Sequence, residues 1–114
     1  MTEGIRVGRV EDVPEGGAVV VDRSVAGTGD DVAVFHDEGE FFALDDTCTH
    51  QEASLAEGWV EDGEVECPLH AARFSLRTGE ALSLPAVRGA RCHRVEVRDG
   101  EVWLLPGEPC PAQA

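Results

Sequence analysis

The chain has 114 residues, 42% of them apolar, and a formal net charge of -14. That length makes one small domain, and the apolar share excludes global disorder. The acidity argues against nucleic acid and anionic membranes, whose charge would repel the chain, and favours steering toward a basic partner. The charge is lopsided: residues 1–70 hold 18 acidic side chains against three arginines, and residues 71–114 hold five against six. No apolar run approaches the roughly 18–20 residues of a membrane span. The first residues lack the basic-then-apolar pattern of a secretory signal, so the expected compartment is the cytoplasm. Thiols stay reduced there, and four cysteines in a chain this long read as metal ligands before disulfides.

Taken in order, Ile5, Val7 and Val10 begin an extended segment, and residues 11–17 form a turn with one helical turn in it. Ala18–Asp22 is a β-branched strand, Ser24–Asp31 a glycine-containing loop, and Val32–His36 the next strand. Asp37-Glu38-Gly39-Glu40 turns that strand into Phe41–Leu44. Asp45-Asp46-Thr47 leads to a first arm, after which Glu52–Leu55 suits a short helical turn. Gly58–Val60 and Val65–Cys67 pair across Glu61-Asp62-Gly63-Glu64, followed by Phe74–Leu76, a turn at Thr78-Gly79-Glu80 and an extended Leu82–Ala86. Cys92–Arg98 alternates, Asp99-Gly100 marks a hairpin, and Glu101–Leu105 closes the sheet. Many short strands and no ordinary helix predict an all-β sandwich or small barrel. The expected domain is 1–105, with a proline-rich, frayed tail over 106–114.

The chemistry concentrates between Cys48 and His70. Cys48-Thr49-His50 and Cys67-Pro68-Leu69-His70 each offer one thiolate and one imidazole. Two occupants fit such a set: a single tetrahedral zinc, or a two-iron, two-sulfide cluster with both cysteines on one iron and both histidines on the other. Common structural zinc sites take two cysteines from one arm and two histidines from the next. Here each arm is mixed, which suits two metals, because one loop can serve both irons.

These motifs, with Phe74, Thr78-Gly79 and Pro85-Ala86 downstream, resemble the Rieske iron–sulfur family, and most of all its small soluble ferredoxins of multicomponent oxygenases. The resemblance covers about Ile5 to Leu105. It implies an antiparallel β-sandwich with two cluster-binding loops at one tip and a third loop, containing Pro85, shielding the cluster. It implies Cys48, His50, Cys67 and His70 as ligands of a Rieske-type 2Fe-2S cluster. High-potential relatives carry an extra cysteine in each loop and hydroxyl side chains near the sulfurs; the matching positions here are Ala53, Leu69, Ala72 and Phe74. Without a hydroxyl donating to sulfur, the potential should lie toward the low end of the ~-150 to +300 mV Rieske range. The position after the second histidine, often glycine in the family, is Ala71.

The chain is too short to add an oxygenase catalytic domain, so it should carry electrons rather than catalyse. The resemblance implies a flavin NAD(P)H-dependent reductase as donor and a terminal non-haem iron oxygenase as acceptor. Two relatives within the family stay open: the small subunit of an assimilatory nitrite reductase, and a cluster-assembly ferredoxin. A zinc-stapled β-module for protein binding is the reading of another class. Outside the arms, His36 reads as an exposed turn residue, Cys92 as a small core residue, Cys110 as a tail thiol, and Trp59 and Trp103 as packing residues. A Cys92–Cys110 disulfide would need an oxidising setting. Arg73 and Arg77 are placed to pair with the acidic half or to tune docking, and the resemblance implies that Gln51 and Leu69 lie at the exposed rim.

Overall fold

The structure, a computed structural model, describes residues 4–47, 53–68, 72–83, 89–106 and 108. The described residues form nine strands: β1 (Ile5–Arg9), β2 (Ala18–Val21), β3 (Val32–Asp37), β4 (Glu40–Asp45), β5 (Trp59–Glu61), β6 (Glu64–Glu66), β7 (Arg73–Ser75), β8 (Cys92–Arg98) and β9 (Glu101–Leu105). They make a six-stranded sheet in the order β1-β9-β8-β4-β3-β2 and a three-stranded sheet β5-β6-β7. Every pairing is antiparallel. The all-β expectation holds. Among the described residues no helix is long and apolar enough to cross a membrane.

Three hairpins share one turn chemistry. Glu38-Gly39, Asp62-Gly63 and Asp99-Gly100 each place both residues at positive φ, with 50° and 81°, 52° and 75°, 51° and 76°. Two consecutive left-handed residues twist with the flanking strands, and glycine in the second position adopts that angle without a Cβ penalty. Two of the turns are tied together, because the Gly63 N–H donates to the Asp37 carboxylate at 2.6 Å. That bond accounts for a carboxylate that is only 7% exposed.

The run Val32-Ala33-Val34-Phe35 is fully buried on both faces, as an unbroken apolar strand should be. Ala33, Phe35 and Leu44 pack against Val65, Phe74, Leu76 and Leu55 to form one core between the two sheets. Val32, Val34 and Ala43 join Val102 and Leu104 in a second core on the other face. β4 and β8 pair only at Ala43–His93 and Leu44–Cys92. They then splay, leaving a cleft of about 410 Å³ lined by Phe41, Phe42, Leu76, Val95 and Val97 near the start of β4.

Two segments differ from the sequence reading. The loop expected over Ser24–Asp31 begins as a one-turn helix, α1 (Arg23–Ala26). Asp22 caps it by accepting from the Ser24 N–H at 2.8 Å, and Gly27 ends it at φ 71°. The helical turn after the first arm covers Leu55–Glu57, where the Leu55 side chain enters the core. Beyond β9, Glu108 accepts from the Arg94 N–H at 3.0 Å, which ties that residue back to β8.

Candidate metal centre

Three loops leave the sheets at the same end. The first departs after β4 at Thr47 and returns at Ala53, its base closed by a bridge between Thr47 and Ser54. The second departs after β6 at Cys67 and returns at Ala72, where the Cys67 N–H donates to the Ala72 carbonyl at 2.7 Å. The third departs after Ser83 and returns at Gly89. Of the four expected ligands, Cys67 is described; Cys48, His50 and His70 lie outside the described residues, as do Gln51, Leu69, Ala71, Pro85 and Cys110.

The three bases touch. Gly58, at the end of the helical turn that follows the first loop, sits so close to β6 that a Cβ there would lie against the Glu66 carbonyl oxygen. Glu66 is the residue before Cys67. On the other side, the Leu82 N–H donates to the Arg73 carbonyl at 2.8 Å, and Ser83 Oγ accepts from the Arg73 N–H at 3.0 Å. Gly79 and Ala90 close the third loop through an Ala90 N–H to Gly79 carbonyl bond of 2.7 Å. Gly79 has φ +80°, and a Cβ on it would fall 1.9 Å from the Ala90 oxygen. No other residue type meets both demands.

Cys67 is wholly buried in the core with Val65, Ala72, Phe74 and Leu55. A sulfur held in apolar surroundings by a fixed backbone suits the inner, thiolate-bound side of an iron–sulfur cluster, where a dry shell controls solvent access. Neither Ala72 nor Phe74 carries a hydroxyl toward it, as the sequence implied.

The first loop is held by carboxylates, which the sequence reading did not single out. Asp30 accepts from both the Thr47 N–H at 2.9 Å and the Thr47 hydroxyl at 2.8 Å. Arg23, at the start of α1, pairs with Asp31 at 3.2 Å and lies 3.7 Å from Asp30. Asp46 is only 7% exposed. It accepts from Ser54 Oγ at 2.9 Å and the Ala56 N–H at 3.0 Å. Burial pushes its carboxyl above the usual range, against the pull of those two donors, and the nearby Asp30 and Asp31 push the same way. The available signal was the Asp45-Asp46-Thr47 run at a strand end, but its partners lie 8 to 17 residues away in sequence.

The remaining singled-out residues fall into two groups. Cys92 is buried in the core as expected. Arg73 pairs with Glu64 at 3.0 Å and Arg77 with Glu40 at 2.9 Å, and both partners belong to the acidic half. Trp103 lies under the Arg98 guanidinium, 5.4 Å from its ring. His36 is not an exposed turn residue: its ring stacks on Phe41 with centroids 4.2 Å apart, and its Nδ1 sits 2.8 Å from the Val13 carbonyl oxygen. Trp59 is not a packing residue, since it is 65% exposed.

The model of the Rieske [2Fe-2S] domain matches residues 3–100. The chain is 48% identical over 100 residues to the 3-phenylpropionate/cinnamic acid dioxygenase ferredoxin subunit of Photorhabdus laumondii, covering 87% of this chain and 90% of that one. Its fold superposes on the ferredoxin of carbazole 1,9a-dioxygenase from Nocardioides aromaticivorans IC177 with a TM-score of 0.83 and 34% identity, over 92% of this chain and 99% of that one. It also superposes, with a TM-score of 0.82 and 34% identity over 92% and 94%, on a chain from a complex of reduced oxygenase and oxidized ferredoxin in carbazole 1,9a-dioxygenase. The zinc reading is thereby set aside in favour of the iron–sulfur one. The chain belongs to the Rieske [2Fe-2S] domain family, and it is an electron carrier with a Rieske-type 2Fe-2S cluster rather than an enzyme.

Proposed function

We propose that this protein is the ferredoxin of an aromatic-ring dioxygenase system, working in the cytoplasm between a flavoprotein NAD(P)H-dependent reductase and a terminal non-haem iron oxygenase. The observation that carries the reading is the 48% identity to a dioxygenase ferredoxin subunit over nearly all of both chains. Cys48 and Cys67 would hold one iron, and His50 and His70 the other. The cluster supplies one-electron uptake and release. The chain's own contribution is to hold the ligands on fixed loop bases, to keep the Cys67 side dry, and to leave the sulfurs without hydroxyl donors at Ala72 and Phe74. That last feature supports a potential at the low end of the Rieske range. The excess of acid in residues 1–70 supports electrostatic steering toward both partners.

Reconstitution tests it. The purified chain should be red-brown, with iron and sulfide in equal amounts, and should make NADH-driven product formation by the oxygenase depend on its presence. Turnover should fall as salt rises past the screening range of about 0.1 M. A colourless chain holding zinc would end the proposal, and so would oxygenase turnover that ignores the chain.

A further inference from the structure

The register of the small sheet places its side chains in two layers. Val60, Val65 and Phe74 lie side by side across β5, β6 and β7, facing the core. Alternation therefore sends Trp59, Glu66 and Arg73 to the outer face in one row, and Glu61, Glu64 and Ser75 in the next. The first row is the one beside Cys67. It is extended by Leu82, bonded through its N–H to the Arg73 carbonyl and 45% exposed. Trp59, at 65%, is the most exposed large apolar side chain among the described residues.

Two features set this face apart from ordinary surface. Tryptophan is costly to leave in water and is enriched where proteins meet. Its setting is acidic: Glu61 and Glu64 stand opposite each other although like charges across a strand pair destabilise it. Arg73 is the row's cation and is already engaged by Glu64 at 3.0 Å. A surface with an aromatic anchor, a carboxylate rim and an edge at a cluster loop complements a basic protein face.

We infer that the outer face of the β5-β6-β7 sheet, with Trp59 as anchor and Glu61, Glu64 and Glu66 as rim, is where a basic electron-transfer protein docks. The partner's face carries arginine or lysine around an apolar recess that receives the indole, with the guanidinium lying over the ring. The inference rests on the reading of the chain as an oxygenase ferredoxin, and it adds which surface is used and what chemistry meets it.

The test uses the full, cluster-loaded chain with a flavoprotein NAD(P)H-dependent reductase and an aromatic-ring dioxygenase. In Trp59→Ala, the visible spectrum, the reduction potential and the rate of reduction by dithionite should match the parent chain. The KM for the ferredoxin in one or both protein-coupled half-reactions should rise about tenfold, the effect of losing an interface hot spot. Glu61→Gln with Glu66→Gln should flatten the salt dependence of the same half-reaction. Unchanged KM values for Trp59→Ala in both half-reactions would overturn the inference. If the parent chain itself exchanges electrons with dithionite but with neither protein, the functional reading fails first, and this inference falls with it.

Discussion

The first and second cluster loops are anchored by opposite means. The first hangs on carboxylates: Asp30 grips Thr47 through two bonds, and Asp46 grips Ser54 and Ala56. The second hangs on burial: Cys67, Ala72 and Phe74 are wholly inside, and one backbone bond closes the base. Polar anchors are directional but exchange with water, and their net worth is modest. Apolar anchors are shared with the whole core, so the second loop should come apart only when the domain does. One loop can then be loosened by itself and the other cannot.

The largest effect expected follows from that asymmetry. Phe74→Ala deletes a fully buried ring from the core that also holds Cys67. The cost should be about 3–5 kcal/mol, or a fall in melting temperature of roughly 10–20 °C. Loss of cluster absorbance and loss of far-ultraviolet circular dichroism should follow one curve. Bleaching well ahead of unfolding would show that the second loop has an anchor besides the core.

Asp30→Ala should act differently. It strands the Thr47 N–H and hydroxyl and leaves Arg23 with Asp31 alone. The expected loss is about 1–3 kcal/mol, taken locally. Cluster release to a chelator should accelerate several-fold while the melting temperature moves by only a few degrees. If instead the variant melts as early as Phe74→Ala, the contrast between the two loops is wrong.

This division also shows which parts of the molecule could be read in advance. The hairpins at Glu38-Gly39, Asp62-Gly63 and Asp99-Gly100 were legible because turn chemistry is local: the residues that need positive φ are the residues that supply it. The strands were legible because their patterns are local, the β-branched run of β2 and the alternation of β8 among them. The family was legible because thiol and imidazole at short spacing in two mixed arms have few other uses. The Asp30–Thr47 grip was not, since nothing in a sequence ties an aspartate to a threonine 17 residues on. Neither was the exposure of Trp59, because composition suggests a buried indole and only the register of β5 against β6 turns it outward. Gly79 was noticed as part of a pattern, but its reason, an oxygen of Ala90 where a Cβ would go, exists only in three dimensions.

The smallest effect is expected at the other end of the sheets, and it checks that the loop contrast concerns the loops. Glu15 accepts from the N–H groups of Glu38 and Gly39 and lies 3.3 Å from His36 Nε2. The bond from the Glu38 N–H is the main reason its carboxyl sits below the ordinary 4.5. A folded value below the unfolded one means stability that is present above 4.5 and is lost as pH falls through the folded value. Glu15→Gln should therefore lower the denaturant midpoint slightly at neutral pH, and the gap from the parent chain should close in acid. Glu15 is exposed, so the gap is small even where it is largest. The β3–β4 turn it holds lies at the opposite end of β4 from Thr47, so chelator-driven cluster release should be the same in both proteins. A faster release would mean that the turn and the first loop share a cooperative unit, with β4 as the rigid link between them.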